Sequence, residues 1–142
     1  MNTKKFQSSL IVVPVEINDI FISEFSFKVH PSKGEFVKMN FKNIQFSSSV
    51  VVLDENKKQL QVNVRIQSNE EDNLCDFLIS CVGLYTWKKD TMDEVDVKNI
   101  YSWGVAIQTS MIRQKLAQET ANSPYHDAWY LPLALVKVNE DN

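Results

Sequence analysis

The chain has 142 residues, of which 44% are apolar and 23% charged, and its formal net charge is −3. This size and apolar content suit one folded domain with an ordinary hydrophobic core, and they argue against disorder. The acidic balance argues against a nucleic-acid-binding surface. The few glycines are scattered, so the sequence contains neither a phosphate-binding loop nor a dinucleotide fingerprint. We therefore treat residues 1–142 as a single domain and expect no ATP-driven or NAD-dependent chemistry.

The apolar run at residues 10–13 is too short for the core of a signal peptide, and no apolar stretch is long enough to span a membrane. Cys75 and Cys81 fall in one apolar segment, about 20 Å apart along a strand, so they cannot bridge each other. We expect a cytoplasmic protein with buried thiols. The cysteines and histidines lack the close spacing of zinc ligands, so we expect no metal site.

The first predicted strand covers residues 10–29 and ends before the proline and glycine of residues 30–34. Simple alternation places five side chains on one face: Phe21, Ser23, Phe25, Phe27 and Val29. The second predicted strand covers residues 36–46, and its alternation changes phase at Ile44. Residues 47–49 are three serines, which we interpret as a spacer before a short apolar run at residues 50–53.

The next two segments have the strongest strand patterns in the chain. Residues 59–67 alternate strictly between apolar and polar side chains, which is typical of a sheet covered on one face. Residues 74–87 are more apolar throughout, which predicts a strand that is central or covered on both faces. A short acidic turn joins the two segments, so we expect an antiparallel hairpin or meander.

A helix is predicted over residues 102–121, ended by the sequence Asn-Ser-Pro. Four residues are alternative N-caps of this helix: Thr91, Asp93, Asp96 and Ser102. The helix carries apolar side chains on two nearly opposite sides, one containing Trp103, Ala106, Ile107, Met111 and Ala117, the other Val105, Ile112 and Leu116. One side can pack on the sheet, while the other requires a second layer or a second subunit. The apolar run at residues 131–138 contains Pro132, which excludes a central strand position.

Catalytic groups are sparse. The pair His126–Asp127 is the only neighbouring histidine and carboxylate, and such a pair in a loop is usually solvated. We therefore predict no enzymatic activity, no catalytic residues and no cofactor. Aromatic residues at the ends of elements are more informative, because side chains there line grooves as often as they fill cores. For Trp129 and Tyr130 the two alternatives are evenly balanced.

Four antiparallel strands, a late helix and a proline-containing apolar end resemble the SecB-like protein-export chaperone family. The resemblance is carried by residues 10–27, 36–41, 60–66 and 77–85, the last ending in Gly83-Leu84-Tyr85, and by the helix at 106–116 with Leu131-Pro132-Leu133 after it. The resemblance implies an α+β fold. It also implies that this chain is a divergent member, because Ser102-Trp103-Gly104 stands where the family commonly has Phe-Pro-Tyr. In the fourth strand, Leu78 and Ser80 stand near the position where export members often carry an acidic residue.

The resemblance implies a cytoplasmic, ATP-independent holdase, assembled as a dimer or a dimer of dimers. Its partners would be unfolded client polypeptides and, as a further option, the translocase or a toxin–antitoxin pair; nucleic acid and membrane insertion are not expected. The candidate groove residues are Phe25, Phe27, Phe36, Tyr85, Trp87, Trp129 and Tyr130. The candidate interface residues are Trp103, Val105, Ile107, Met111, Ile112 and Leu116. The alternative is a non-enzymatic adaptor module on the same fold that binds one folded partner.

Overall fold

A computed structural model describes residues 3–10, 12–29, 44–68 and 75–121. The elements in chain order are β1 (Val15–Val29), β2 (Ile44–Asp54), β3 (Gln59–Ser68), β4 (Cys75–Trp87) and α1 (Glu94–Ala121). The strands form one antiparallel sheet in the order β1-β4-β3-β2. The predicted α+β class is therefore confirmed, as is the central position of β4. The predicted apolar end at residues 131–138 lies outside the described residues.

Strand β1 contains two register shifts, one between Ile17 and Asp19 and one between Ile22 and Glu24. Each inserts a residue and moves the following side chains to the opposite face. As a result Phe25 pairs with Ile79, whereas Phe21 pairs with Val82, and these two residues of β4 lie on opposite faces of the sheet. The prediction that Phe21 and Phe25 share a face is wrong, because simple alternation cannot register a bulge.

Strand β2 runs without interruption through the three serines. Ser47, Ser48 and Ser49 pair with Arg65, Val64 and Asn63 of β3. The predicted spacer is therefore wrong: a strong alternating partner holds the serines in the ladder despite their modest strand preference. The predicted second strand, residues 36–46, coincides with β2 only at its last three positions, and residues 36–43 lie outside the described part of the chain.

Helix α1 begins at Glu94, well before the predicted residue 102. Asp93 is the N-cap: its Oδ1 accepts a hydrogen bond from the Asp96 backbone N–H at 2.8 Å, and the Asp96 carboxylate accepts one from the Asp93 N–H at 3.0 Å. The Val97 N–H then donates to the Asp93 carbonyl at 3.1 Å. This reciprocal pair is a capping box built from two aspartates, and it decides among the four predicted caps.

The core lies between α1 and one face of the sheet, mainly over β3 and β4. The strand and helix side chains there are at most 5% exposed: Leu60, Val62, Val64, Ile66, Phe77, Ile79, Cys81, Tyr85, Trp87, Ile100, Val105, Ile112 and Leu116. The strict alternation of β3 thus has the predicted consequence of one buried face. In the part of the chain described, no helix has the length and apolar character needed to cross a bilayer.

Candidate binding site

A buried polar group fixes α1 on the sheet. Gln108 is completely buried, and its Nε2 donates hydrogen bonds to the carbonyl oxygens of Val62 at 2.9 Å and Cys81 at 3.1 Å. The hydroxyl of Tyr85 donates to Gln108 Oε1 at 2.8 Å. Both donors and the acceptor of this amide are therefore satisfied, which makes its burial tolerable and ties the helix to β3 and β4.

Two glycines make room for this polar group. A Cβ atom at Gly83 would lie 2.3 Å from Gln108 Oε1 and 2.6 Å from the Tyr85 hydroxyl oxygen. On the helix, a Cβ at Gly104 would lie 3.1 Å from the Tyr85 hydroxyl oxygen and 3.1 Å from Cγ2 of Val62. The absence of a side chain at both positions sets how closely the helix approaches the sheet.

The same burial perturbs two titratable groups. Desolvation raises the pKa of Tyr85 to about 12, and the negative charge of the neighbouring Cys81, once that group is ionised, adds to the shift. Desolvation also raises the pKa of Cys81, against a smaller opposing effect of its hydrogen bond with Gln108. Both groups stay protonated at neutral pH, so neither is an activated nucleophile.

An open apolar pocket lies between α1 and the first residues of β1, along the flank of the helix that carries Trp103 and Ile107. It has a volume of about 310 Å³ and is lined by the set Val13, Val15, Ile17, Tyr85, Ile100, Trp103, Ala106 and Ile107. Ile17 remains 50% exposed, Trp103 37% and Ile107 39%. Because the Tyr85 hydroxyl is engaged by Gln108, the wall offers apolar contact and no charge. Such a surface is suited to bind apolar side chains.

The strand beside this pocket is an edge strand. Strand β1 pairs only with β4, so one side of its backbone has no partner within the described sheet. The two bulges interrupt its register, and charged residues lie along it, which are features that discourage continuous strand addition. Residues 15–17 precede the first bulge, so the straight part of this edge of the described sheet coincides with the pocket.

The structure brings three of the predicted site residues together. Tyr85, a groove candidate, lines the pocket with Trp103 and Ile107, which were predicted for a subunit interface. Sequence reasoning missed the strand side of this pocket. The alternation of Val13, Val15 and Ile17 was the signal that could have found it.

Three other interface candidates are not available to a second subunit. Val105, Ile112 and Leu116 are completely buried against the sheet of their own chain, so their assignment to the interface is corrected. The physical reason is that one of the two apolar sides of the helix is used by its own core. Met111 is half-buried against that core.

The remaining groove candidates lie elsewhere. Trp87 is 5% exposed, and its Nε1 donates to the Thr91 carbonyl at 2.7 Å, so it secures the connection from β4 to α1 and is no groove wall. Phe25 and Phe27 are half-buried against the core, and the Lys115 ammonium lies 5.1 Å from the centre of the Phe25 ring. Neither lines the apolar pocket. The three further candidates, Phe36, Trp129 and Tyr130, lie outside the described residues.

The opposite face of the sheet has a different character. Gln61 donates to Asn63 and Asn63 donates to Ser49, forming a line of amide and hydroxyl groups across β3 and β2. A cavity of about 390 Å³ on that face is lined mainly by serines with Glu24, Asn63 and Arg65. Within residues 3–10, 12–29, 44–68 and 75–121, no three histidine, cysteine or acidic side chains are grouped closely enough to hold a metal ion.

No protein-family profile and no curated protein matches the sequence. Solved structures do match. A SecB-like chaperone of Mycobacterium tuberculosis, solved in complex with a ChAD peptide from the HigA1 antitoxin, superposes with a TM-score of 0.64 at 15% identity, covering 85% of this chain and 91% of that one. A protein of unknown function from Streptococcus agalactiae gives a TM-score of 0.47 at 12% identity, covering 87% and 100%. The first similarity shows that this chain has the SecB-like fold.

Proposed function

We propose that this protein is an ATP-independent chaperone of the SecB type, which holds non-native polypeptide segments in the apolar pocket between α1 and β1. The observation that carries the proposal is the pocket itself: a wall of apolar side chains with Ile17, Trp103 and Ile107 still partly exposed, beside the edge strand of the described sheet. Apolar contact without charged groups favours binding with little sequence selection.

The geometry favours side chains over backbone as the bound groups. Bulges limit strand pairing along β1, so a client would gain most from burying one or two apolar side chains in the pocket. At about 310 Å³ the pocket is at the small end of ligand sites, which range from roughly 300 to 1,000 Å³. A single site would bind weakly, and several sites engaging one client would bind more tightly.

The SecB-like fold supports, by analogy, a cytoplasmic location, a non-enzymatic role and clients from protein export or from a toxin–antitoxin pair. The mycobacterial protein of this fold was solved with an antitoxin peptide. The same fold also suggests a dimer or a dimer of dimers. Since Trp103 and Ile107 can be covered by only one occupant at a time, assembly through this side of the helix would compete with client binding.

Aggregation of several unrelated unfolding proteins, followed by light scattering without nucleotide, tests the proposal. We expect the wild-type protein to suppress aggregation and the double substitution Trp103→Gln with Ile107→Gln to lose most of that effect. Val95→Gln is the matched control, because Val95 is an exposed apolar residue of the same helix outside the pocket. Its activity is expected to equal that of the wild type.

Two results would overturn the proposal. Equal suppression by the double variant and the wild type would show that clients bind elsewhere. Failure of the wild type to protect any client, together with capture of one folded partner, would favour the adaptor alternative. Circular dichroism of each variant confirms that the loss of activity is not a loss of folding.

A further inference from the structure

A second open pocket lies at the end of the sheet where β2 turns into β3 and β4 leads into α1. It has a volume of about 620 Å³. Its apolar part is formed by Val52, Met92 and Val97, and its rim carries the carboxylates of Glu55, Asp90, Asp93 and Glu94. Lys58 also lines it, with its ammonium donating to the Lys89 carbonyl at 2.7 Å. The pocket therefore combines apolar surface with an excess of negative charge.

The segment that precedes β1 has the complementary chemistry. Residues 3–12, here called the arm, contain Lys4 and Lys5 and no acidic residue. Its side chains Phe6, Leu10 and Val12 are 89%, 92% and 83% exposed. Three large apolar side chains so fully exposed in a short basic segment indicate a surface that another surface covers.

The arm leaves the sheet at the same end as the acidic pocket. The Lys88 N–H donates to the Pro14 carbonyl at 2.9 Å, and the Trp87 N–H donates to the Lys58 carbonyl at 2.9 Å. Pro14, at the base of the arm, and Lys58, in the wall of the pocket, are thus hydrogen-bonded to the consecutive residues Lys88 and Trp87. The arm does not occupy the pocket of its own chain, since its apolar side chains remain exposed.

From these observations we propose that the arm binds in the acidic pocket of a second copy of this chain, with Lys4 and Lys5 facing its carboxylate rim and Phe6 on its apolar part. Reciprocal exchange of two arms gives a closed two-fold dimer, in which each copy contributes both an arm and a pocket. This contact leaves the pocket beside Trp103 free, so self-association and client binding would use different surfaces.

A charge-swap experiment tests the exchange in the full-length protein without client. Variant A carries Lys4→Glu and Lys5→Glu; variant B carries Glu55→Lys and Asp90→Lys, which leave the Asp93 cap intact. In each variant alone, like charges meet, and we expect the dimer dissociation constant from sedimentation velocity to rise about tenfold or more. In an equimolar mixture, the acidic arm of A meets the basic pocket of B while the wild-type arm of B meets the wild-type pocket of A.

Mixing is therefore expected to restore dimerisation to near the wild-type dissociation constant. An arm that folded onto its own pocket would show no such recovery, because each chain would keep its mismatch. The matched control for B is Asp19→Lys with Glu24→Lys, the same charge change at exposed positions of β1, which is expected to leave the dissociation constant unchanged. An unchanged constant in A and B, or no gain on mixing, would overturn the proposal.

The apolar part of the contact has a separate test. Phe6→Ala removes a side chain that is 89% exposed in the protomer, so it is expected to leave the unfolding midpoint unchanged. The dissociation constant of the dimer should nevertheless rise about tenfold, as for loss of a buried aromatic side chain. Gln7→Ala is the control on the same arm. Equal association of both variants with the wild type would contradict the role of Phe6.

Discussion

The inner and outer sides of α1 carry similar apolar residues but differ in what covers them. On the inner side Ile112 is completely buried against the sheet, and on the outer side Ile107 is 39% exposed in an open pocket. The inner side also contains Gln108, whose hydrogen bonds to β3 and β4 fix the position of the helix. Stability therefore depends on the inner side, whereas the outer side keeps apolar surface accessible within the described residues.

The same substitution at the two isoleucines should separate these roles most clearly. Ile112→Ala removes a completely buried side chain and is expected to lower the free energy of unfolding by about 2–5 kcal/mol. Urea unfolding followed by circular dichroism measures the change. A loss below about 1 kcal/mol would mean that the inner side of the helix is not packed as described.

The close approach of helix and sheet can be broken at Gly83. Gly83→Ala places a methyl group 2.3 Å from Gln108 Oε1, and we expect a loss of about 1–3 kcal/mol from the displaced hydrogen bonds. Gly104→Ala is the control in the helix, where the tightest contacts are 3.1 Å and the better helix propensity of alanine offsets them by about 1 kcal/mol. Equal effects at both glycines in thermal unfolding would contradict this account.

The hydroxyl of Tyr85 links the sheet to Gln108. Tyr85→Phe leaves Gln108 Oε1 without its 2.8 Å donor, and we expect a loss of about 1–2 kcal/mol at pH 7 in urea unfolding. The double variant with Gln108→Leu removes the unpaired amide as well. It should therefore be more stable than the sum of the two single losses predicts. Strict additivity would show that the two groups are not coupled.

Alkaline pH is expected to lower the free energy of unfolding through ionisation of the Tyr85 hydroxyl. The pKa of Tyr85 is raised to about 12, from an ordinary value near 10, so the folded state holds this proton more tightly than the unfolded state. Its contribution is fully present below pH 10 and is lost as the pH rises towards 12, by about 1.4 kcal/mol per pH unit. Cys81, with its pKa also raised, acts in the same direction. Tyr85→Phe should flatten the stability profile above pH 10, and an unchanged profile would contradict the assignment.

The smallest change in stability is expected on the outer side. Ile107→Ala should cost less than about 1 kcal/mol, because the side chain is already 39% exposed. Client binding, measured by fluorescence anisotropy with a labelled unfolded protein, should weaken severalfold in the same variant. A destabilisation as large as that of Ile112→Ala would remove the distinction between the two sides.

Sequence reasoning predicted the features that depend on regular patterns. The alternation of β3 gave its buried face, and the apolar character of β4 gave its central position. It failed where long-range pairing overrides the local pattern. A bulge in β1 places Phe21 and Phe25 on opposite faces of the sheet, and pairing with β3 keeps the three serines of β2 in the strand. The start of α1 at Glu94 was not predicted, because the segment is charged and its capping box uses Asp96 where glutamate is more usual.

The candidate site was predictable only in part. The two apolar sides of the helix were visible, but periodicity alone does not say which side faces the sheet. The decision depends on Gly83 and Gln108, which meet only in the folded chain. The wall formed by Val13, Val15 and Ile17 depends on how β1 aligns with β4, a long-range pairing that local patterns do not encode.

The strand order has a consequence for biosynthesis. Among the four described strands β1 leaves the ribosome first, yet its partner β4 follows only after β2 and β3, with Ile17 opposite Tyr85. Strands β2, β3 and β4 can pair with their neighbours in the order in which they emerge, whereas β1 must wait for closure of the longest loop in the sheet. Until then the nascent chain exposes the same apolar strand that later borders the pocket. A protein proposed to bind non-native chains therefore exposes, during its own synthesis, the kind of apolar segment that it is proposed to bind.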